Sequence, residues 1–415
     1  MAIDPEEFKR RRQARKVQRD RQRKKLWIKL GIAGIVLIAC GVGIFAFARK
    51  HKTPDTTPPT NPSATATTQA AADTTVIHLA AVGDLNVTQR VVDSADGDYD
   101  YTRTFMDVAP ILANADITTV NFEGSFFGAP YGEDRSAPDT LATALSRAGV
   151  DLVQLANSYS IYKGMDGLAA TVNAIYAAGM EPVGAYANPQ AAKEGKGYTI
   201  QTVQGMKIAF VSFTKGMNGM ALPPGNESCV NLLYTDYATD YQTVDTEGIS
   251  RILSAVKRQK PDLTVALVHW GSEYNNTVSE SQEKICQLLW DQGVNAVIGT
   301  HSHYVQQMSL DPETGNFVAY SLGDFVGDAD RAGSEYSVVL DLEITKENKT
   351  GETKITGFSY TPIFSVTEEE KPTRVVRIRE AMAAYQGDYI DKVSESTYNA
   401  MEYALERIEA RIKGE

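Results

Sequence analysis

The sequence predicts a mixed α/β protein from residue 76 onward, and three observations predict it. Short β-branched runs alternate with helical stretches, polar residues stand directly after several of the apolar runs, and the last runs follow one another with no helix between them. Alternating strands and helices argue for helices laid over a sheet. Strands in direct succession argue that antiparallel pairs are added to it, so the sheet is mixed.

Residues 76–82 read as a strand, 105–113 as a helix and 117–121 as a strand. The alternation continues with a helix at 141–148, a strand at 153–155, a helix at 167–178 and a short strand at 182–183. Residues 198–203 and 207–213 form a hairpin around Gln204 and Gly205, because glycine at a two-residue connection favours a tight turn. A helix at 248–258, a strand at 263–269, a helix at 281–292 and a strand at 296–298 follow. The runs 317–321, 337–344 and 354–361 then read as antiparallel strands. Residues 389–413 carry Ile390, Val393, Tyr398, Met401, Leu405, Ile408 and Ile412 at broadly helical spacing, which predicts an amphipathic helix packed on the domain.

The segment before residue 76 has a different character. Residues 1–52 carry 15 Lys/Arg and 4 Asp/Glu, a net of +11, whereas residues 53–415 carry a net of -22. Such a split predicts two compartments. Residues 30–48 are 19 consecutive uncharged residues. As a helix they match the ~30 Å hydrocarbon layer of a bilayer. The cationic cluster from Lys9 to Lys25 precedes them, and only Arg49, Lys50 and Lys52 follow closely. The heavier cationic side stays cytoplasmic, so the bulk of the chain is expected outside, with Trp27 at the interface. A cleaved signal peptide is the competing reading, but the apolar run is long for one and no A-x-A site follows directly.

The expected organisation is therefore a basic cytoplasmic tail (1–29), a transmembrane helix (30–48), a Thr/Pro/Ala-rich linker (49–75), a main α/β domain (76–366) and a C-terminal helical extension (367–415). The linker has too few large apolar residues to offset its ordering entropy and reads as a flexible stalk. Beside a membrane span, the basic tail is accounted for by topology and contact with membrane lipid rather than by nucleic acid. Of the three cysteines, Cys40 lies in the apolar run. Cys229 and Cys286 would be able to pair in an oxidising compartment, but nothing in the sequence brings them together, and two unpaired thiols are expected.

Chemistry concentrates in five segments at strand ends. These are Gly83-Asp84, Asn121-Phe122-Glu123, Ala156-Asn157-Ser158, His269 through Glu273, and Thr300-His301-Ser302-His303. In open α/β sheets, sites form beyond the carboxyl ends of strands. Carboxylates, asparagines and three of the chain's 5 histidines converging there would suit a divalent metal ion. His301 and His303, two apart in an extended segment, would project to the same side. Each segment alone is commonplace: a Gly-Asp is a turn, and a histidine at a strand end is often a satisfied core residue. The ordered set is what carries the argument.

The set GDLN, NFEG, LANSYSIYKGMDGL, HWGSE, GTHSHYVQ and YSLGDFV resembles the CapA-type capsule synthesis family, also described as poly-γ-glutamate synthesis proteins. The stretch VSFTKGMNG, followed by Leu222-Pro223, is also similar, and the resemblance runs over residues 77–328. That family in turn resembles the calcineurin-like metallophosphatases, which implies a four-layered α/β/β/α sandwich here. The resemblance implies metal ligands at Asp84, Asn121, Glu123, His269, His301 and His303, and catalytic roles for His269, Glu273 and Asn157. In the phosphatase relatives such residues hold two metal ions that orient a hydroxide for attack on phosphorus.

The function implied is that of a membrane-anchored extracytoplasmic protein of capsule or poly-γ-glutamate-type polymer biosynthesis or export. Its implied partners are membrane lipid, an anionic extracellular polymer or cell-wall component, and other membrane-bound polymer synthase subunits. A metal-dependent phosphoesterase or other hydrolase, and a catalytically degenerate binding scaffold at the cell envelope, are the alternatives.

The chain departs from the family pattern L-A-N-N-H-x-x-D-x-G, because Ser158, Tyr159 and Tyr162 replace its second Asn, its His and its Asp. A phenol does not substitute for a neutral imidazole as a ligand. The closing Ser-Leu-Gly-Asn-Phe motif has Asp324 in place of the Asn. The net charge of the domain also opposes a polyanion over the ~8 Å Debye length. A basic patch from Arg331, Arg374, Arg377 and Arg379 would have to reverse that field locally.

Overall fold

The computed structural model describes residues 73–326, 331–368, 372–387 and 392–415. The basic tail, the apolar run and most of the linker expected from the sequence lie outside them. Among the described residues no helix is long and apolar enough to cross a membrane.

The described chain builds two sheets. The first is centred on β1 (Thr74–Asn86). On one side of it β2 (Ile117–Glu123), β3 (Leu152–Gln154) and β4 (Glu181–Val183) run parallel. On the other side β12 (Tyr336–Glu347), β13 (Thr353–Val366) and β14 (Arg374–Arg377) run antiparallel, and β11 (Asp324–Val326) pairs in parallel with the end of β1. The second sheet has the order β5-β6-β7-β8-β10-β9. Its strands are β5 (Tyr198–Val203), β6 (Met206–Thr214), β7 (Leu263–His269), β8 (Ala296–Thr300), β9 (Met308–Leu310) and β10 (Phe317–Ala319).

The period-2 alternation of strand side chains sorts the apolar residues into layers. Ile77, Leu79 and Ala81 of β1 meet Ile208, Phe210, Val265, Leu267 and Ile298 of the second sheet in a shared core. Ala80 and Val82 face the opposite way. There they pack with α1 (Gln89–Asp93), α2 (Thr102–Phe105), α3 (Ala109–Asn114), α4 (Asp139–Ala148) and α5 (Gly164–Ala177). After the short helix α6 (Pro189–Gly195), helices α7 (Thr246–Arg258) and α8 (Glu280–Asp291) cover the far side of the second sheet. The layering is thus helix, sheet, sheet, helix. At the C-terminus, Ile378 of α9 (Ile378–Gln386) and Met401, Ala404, Ile408 and Ile412 of α10 (Glu395–Lys413) close the core between the sheets. Arg411 of α10 lays its guanidinium 4.8 Å from the ring centre of Tyr304 and 5.2 Å from that of Tyr336.

Several expectations need correction. The helix predicted at 105–113 is two short helices, α2 and α3, with Pro110 in the first turn of the second. Proline is tolerated there but not in a helix interior, so the chain breaks before it. The strand predicted at 317–321 pairs in parallel with β8 and antiparallel with β9, in the second sheet rather than beside β12 and β13. Apolar periodicity does not say which sheet a strand joins. The last helix begins only at Glu395, because Ser394 caps it by accepting from the Thr397 N–H. Val393 therefore precedes the helix, and residues 389–391 of the expected span lie outside the described residues. Cys229 and Cys286 are free, buried thiols in separate cores.

One close approach fixes the first strand. A side chain on Gly83 would collide with the backbone carbonyl of Gly323, which also accepts from the Asp84 N–H at 3.0 Å. Gly83→Ala should therefore destabilise the protein by at least about 2 kcal/mol, as overpacking against rigid backbone does. Gly357→Ala, where an added methyl meets nothing within 4 Å, should change stability little. Thermal unfolding of the two variants checks this, and equal melting temperatures would refute it.

Candidate metal centre

The carboxyl ends of β1, β2, β7 and β8 lie at the same edge of the two sheets, and there the core between the sheets turns polar. Ile117 of β2 faces that core, and Asn121 and Glu123 share its parity while Val120 and Phe122 face the outer helices. Leu263, Val265 and Leu267 of β7 face the same core, and His269 continues their row. Asp84 has the parity of outward-facing Val82, but a register shift between Ala81 and Asp84 resets the alternation. Leu85 then faces outward and Asp84 inward. Asp84, Asn121, Glu123, Asn157, His269, His301 and His303 are all buried here.

Asp84 ties the edge together. Its Oδ2 accepts from the His301 backbone N–H at 2.9 Å, and its Oδ1 accepts from Asn121 Nδ2 at 2.5 Å. Asn157 Nδ2 in turn donates to Asn121 Oδ1 at 3.0 Å and to the Phe122 carbonyl at 2.7 Å. The segment carrying the two histidines is not extended, as the sequence had suggested. His301 and His303 both have left-handed backbone, with φ of 93° and 60°. Each such residue costs about 1–3 kcal/mol and persists only where its surroundings over-determine it. Here the surroundings are Asp84 on the His301 N–H, the Tyr274 N–H on the Ser302 carbonyl at 2.8 Å, and Asp324 on His303.

The loop therefore sends its two imidazoles to different partners. Glu123, His269 and His301 form one triad whose ligand atoms lie within 4.8 Å of one another, and Asp84, His303 and Asp324 form another. In the first, His269 Nδ1 lies 3.0 Å from Thr300 Oγ1, whose hydroxyl points back to the Val268 carbonyl. Asn121 Nδ2 also lies 3.4 Å from Nδ1, and across the ring Nε2 faces Glu123 Oε1 at 3.1 Å. A divalent cation held between Nε2 and the carboxylate would require the ring proton on Nδ1. The Ser158 hydroxyl stands 3.0 Å from His269 Nε2 and 3.5 Å from His301 Nδ1. Neutral imidazole with carboxylate is a donor set for Zn²⁺ or a similar divalent ion, so the residues present fit such a group.

The electrostatics agree. Burial holds His269 and His301 well below the usual imidazole range, so both are neutral and ready to ligate. Burial, reinforced by Asp84, pushes Glu123 well above the usual carboxylate range. Burial likewise raises Asp84, against the opposing pull of His303. His303 goes the other way. Burial alone would lower it, but the Asp324 carboxylate at 2.8 Å, with Glu123 and Asp84 beyond, pushes it up to about 10.

Not every residue singled out from the sequence belongs to the triads. Glu273 is exposed at the mouth of an adjoining cavity. Tyr162 is 41% exposed. Tyr159 accepts from Arg135 at 3.0 Å and stacks beneath its guanidinium, 4.5 Å from the ring centre. Of the four arginines considered as a patch, Arg331 covers Tyr274, which stacks on His303. Arg374 and Arg377 instead line a separate cavity with Asp107 and Glu380. Asp324, Ser158, Thr300 and Arg135 are site residues that the sequence did not assign. Asp324 and Ser158 were visible as departures from the family motif, Thr300 stood in one of the strand-end segments, and Arg135 gave no signal.

The signature described as "Bacterial capsule synthesis protein PGA_cap" matches residues 78–329. A capsule biosynthesis protein CapA of Bacillus anthracis is 29% identical over 255 residues, which are 60% of this chain and 59% of that protein. The match thus spans less than two thirds of that relative's own length. A PGA biosynthesis protein CapA of Bacillus subtilis is 24% identical over 291 residues, covering 68% of this chain and 71% of the other. A solved phosphatase structure from Mycoplasma pneumoniae aligns with a TM-score of 0.44 and 12% identity, over 70% of this chain and 94% of that one.

At neutral pH the His303 imidazolium holds a proton that a bound cation would have to displace, and burial makes Glu123 easier to protonate. Affinity for Zn²⁺ or Mn²⁺ should therefore rise as pH rises toward about 10, the value that His303 reaches here. Calorimetry in buffers of different ionisation enthalpy should show on the order of one or two protons released per chain on metal binding. A pH-independent affinity with no proton release would contradict this assignment.

Proposed function

The chain belongs to the bacterial capsule synthesis protein family, and from that premise we propose that it is a membrane-anchored component of capsule or poly-γ-glutamate-type polymer synthesis or export. In this reading residues 30–48 are the anchor, residues 49–75 the stalk, and the α/β domain works on the outer face beside other membrane-bound synthase subunits. The observation that carries the reading is convergence. The motifs that resemble the family sit in separate stretches of sequence, yet their polar residues meet at one buried site between two sheets. The charge split along the chain supports the topology.

A second reading, a metal-dependent hydrolase of the metallophosphatase type, is favoured by the two adjacent ligand triads. Divalent ions bound there would supply Lewis acidity and an activated water. The chain's own residues do the positioning. Asn121 and the His301 N–H aim the Asp84 carboxylate, Asn157 holds Asn121, and Thr300 lies against His269 Nδ1 and orients the ring. The two readings are compatible, since a polymer-handling protein can cut or transfer its polymer.

Deleting the gene and restoring it as wild type, His301→Ala or Asp84→Asn tests both. Losing even an outer-shell partner of a metal ligand typically costs 10–100-fold, so with these residues replaced surface polymer should fall at least about tenfold in both variants at unchanged protein level. Full polymer with His301→Ala would leave only a binding scaffold. Protease applied to intact spheroplasts should cleave the domain, and a protected domain would sink the outward topology. Purified full-length protein carrying bound metal, with phosphoester hydrolysis lost in His301→Ala, would select the hydrolase.

A further inference from the structure

The cavity next to the Glu123–His269–His301 triad is lined by charged groups that the triads do not use. It measures about 260 Å³, and Lys215, Asn218, Tyr241 and Glu273 line it together with Ser158 and His301. Asn218 and Glu273 are exposed at its mouth, whereas Ser158 and His301 are buried. A ligand entering it therefore ends against the triad.

Lys215 is held for a purpose beyond packing. It follows directly on β6, and its backbone N–H donates to the His269 carbonyl at 2.8 Å, which locks the start of its loop to the end of β7. Its Nζ donates to the Gly271 carbonyl at 2.7 Å and lies 4.6 Å from the centre of the Tyr241 ring. Both partners are neutral. They orient the ammonium without cancelling its charge, and the carbonyl uses one of its three protons. Burial pushes the Lys215 ammonium down from its usual range, and Glu273, which lines the same cavity from the loop after β7, opposes that shift by its charge. The cavity thus offers one fixed cation and one carboxylate.

Their combination narrows the ligand. A phosphate would carry nearly two negative charges against a single ammonium, with Glu273 repelling it and no bidentate arginine lining the cavity. A neutral sugar would leave both charges without a counterpart. A group that pairs with both carries a carboxylate and an ammonium close together. The volume also suits something smaller than a drug-sized ligand, whose pockets run from roughly 300 to 1,000 Å³.

We propose that this cavity is a recognition subsite for the zwitterionic head of one α-amino acid unit, with Lys215 taking the carboxylate and Glu273 the ammonium. The inference rests on the polymer reading above and deepens it. An internal unit of a polyamide has no free ammonium, so the subsite reads a chain end or a monomer. It delivers that end to the triad through Ser158 and His301.

The test uses the full chain in detergent, titrated calorimetrically with L-glutamate, N-acetyl-L-glutamate and inorganic phosphate. L-glutamate should bind at least about tenfold more tightly than either other probe. Lys215→Met should weaken L-glutamate and N-acetyl-L-glutamate alike by at least about tenfold, and Lys215→Arg should retain most of the binding. Glu273→Gln should bring L-glutamate down to the N-acetyl level and leave the N-acetyl compound unchanged. Should Lys215→Met fail to fold, the exposed Glu273→Gln decides alone. Unaltered L-glutamate binding in either the Lys215→Met or the Glu273→Gln variant overturns the proposal, and so does phosphate binding more tightly than L-glutamate. If no amino acid binds while deletion of the gene still abolishes polymer, the subsite fails and the polymer reading stands. If L-glutamate binds while deletion leaves polymer unchanged, the reverse holds.

Discussion

One buried carboxylate holds the two sheets in register at their working edge. Asp84 belongs to the first sheet and His301 directly follows β8 of the second, yet the N–H of His301 donates to Asp84 at 2.9 Å. Asn121 donates to the other oxygen. Burying a carboxylate is costly unless donors replace its water, and these two do so. In return, Asp84 pins a loop whose two histidines have left-handed backbone. The first strand supplies Asp84 to that position only because its register shifts after Ala81 and because Gly83 lets the Gly323 carbonyl approach.

The strands that alternate with helices and most of the polar residues at their ends were legible in the sequence, because alternation and strand-end chemistry are local patterns. The joining of distant segments was not. Asp324 was read as a departure from a motif, and only the pairing of β11 with β1 reveals that it stands beside Asp84. Ser158 was likewise read as a loss, yet its hydroxyl lies between two imidazoles. His301 and His303 were expected to act together from an extended segment. They are neighbours in space, with ring centres 6.2 Å apart, but they serve separate triads through a strained loop. Backbone strain of this kind has no local sequence signature outside glycine. The amphipathic reading of the last helix was sound from Tyr398 onward and failed at Val393, where the cap at Ser394 sets the boundary.

The charge balance of the domain and that of its site differ. Residues 53–415 carry a net of -22, but the rim of the site presents Lys215, Arg135 and Arg331. Each cation rests against an aromatic ring: Tyr241, Tyr159 and Tyr274 in turn. Aromatic faces keep a cation in place without neutralising it, unlike a carboxylate partner. Tyr159, which removes an imidazole from the family pattern, thus also seats a guanidinium close to Asn86 of β1. These stacked pairs set three cations at the rim beside the Glu273 carboxylate.

The guanidinium of Arg411 lies over Tyr304, the residue directly after His303. The last helix therefore braces the loop that carries the imidazoles. A ribosome finishes every ligand-bearing segment, from Asp84 to Asp324, well before it reaches that arginine. During synthesis the ligand-bearing segments are thus made before the helix that braces their loop, and the loop gains this contact only once α10 has formed.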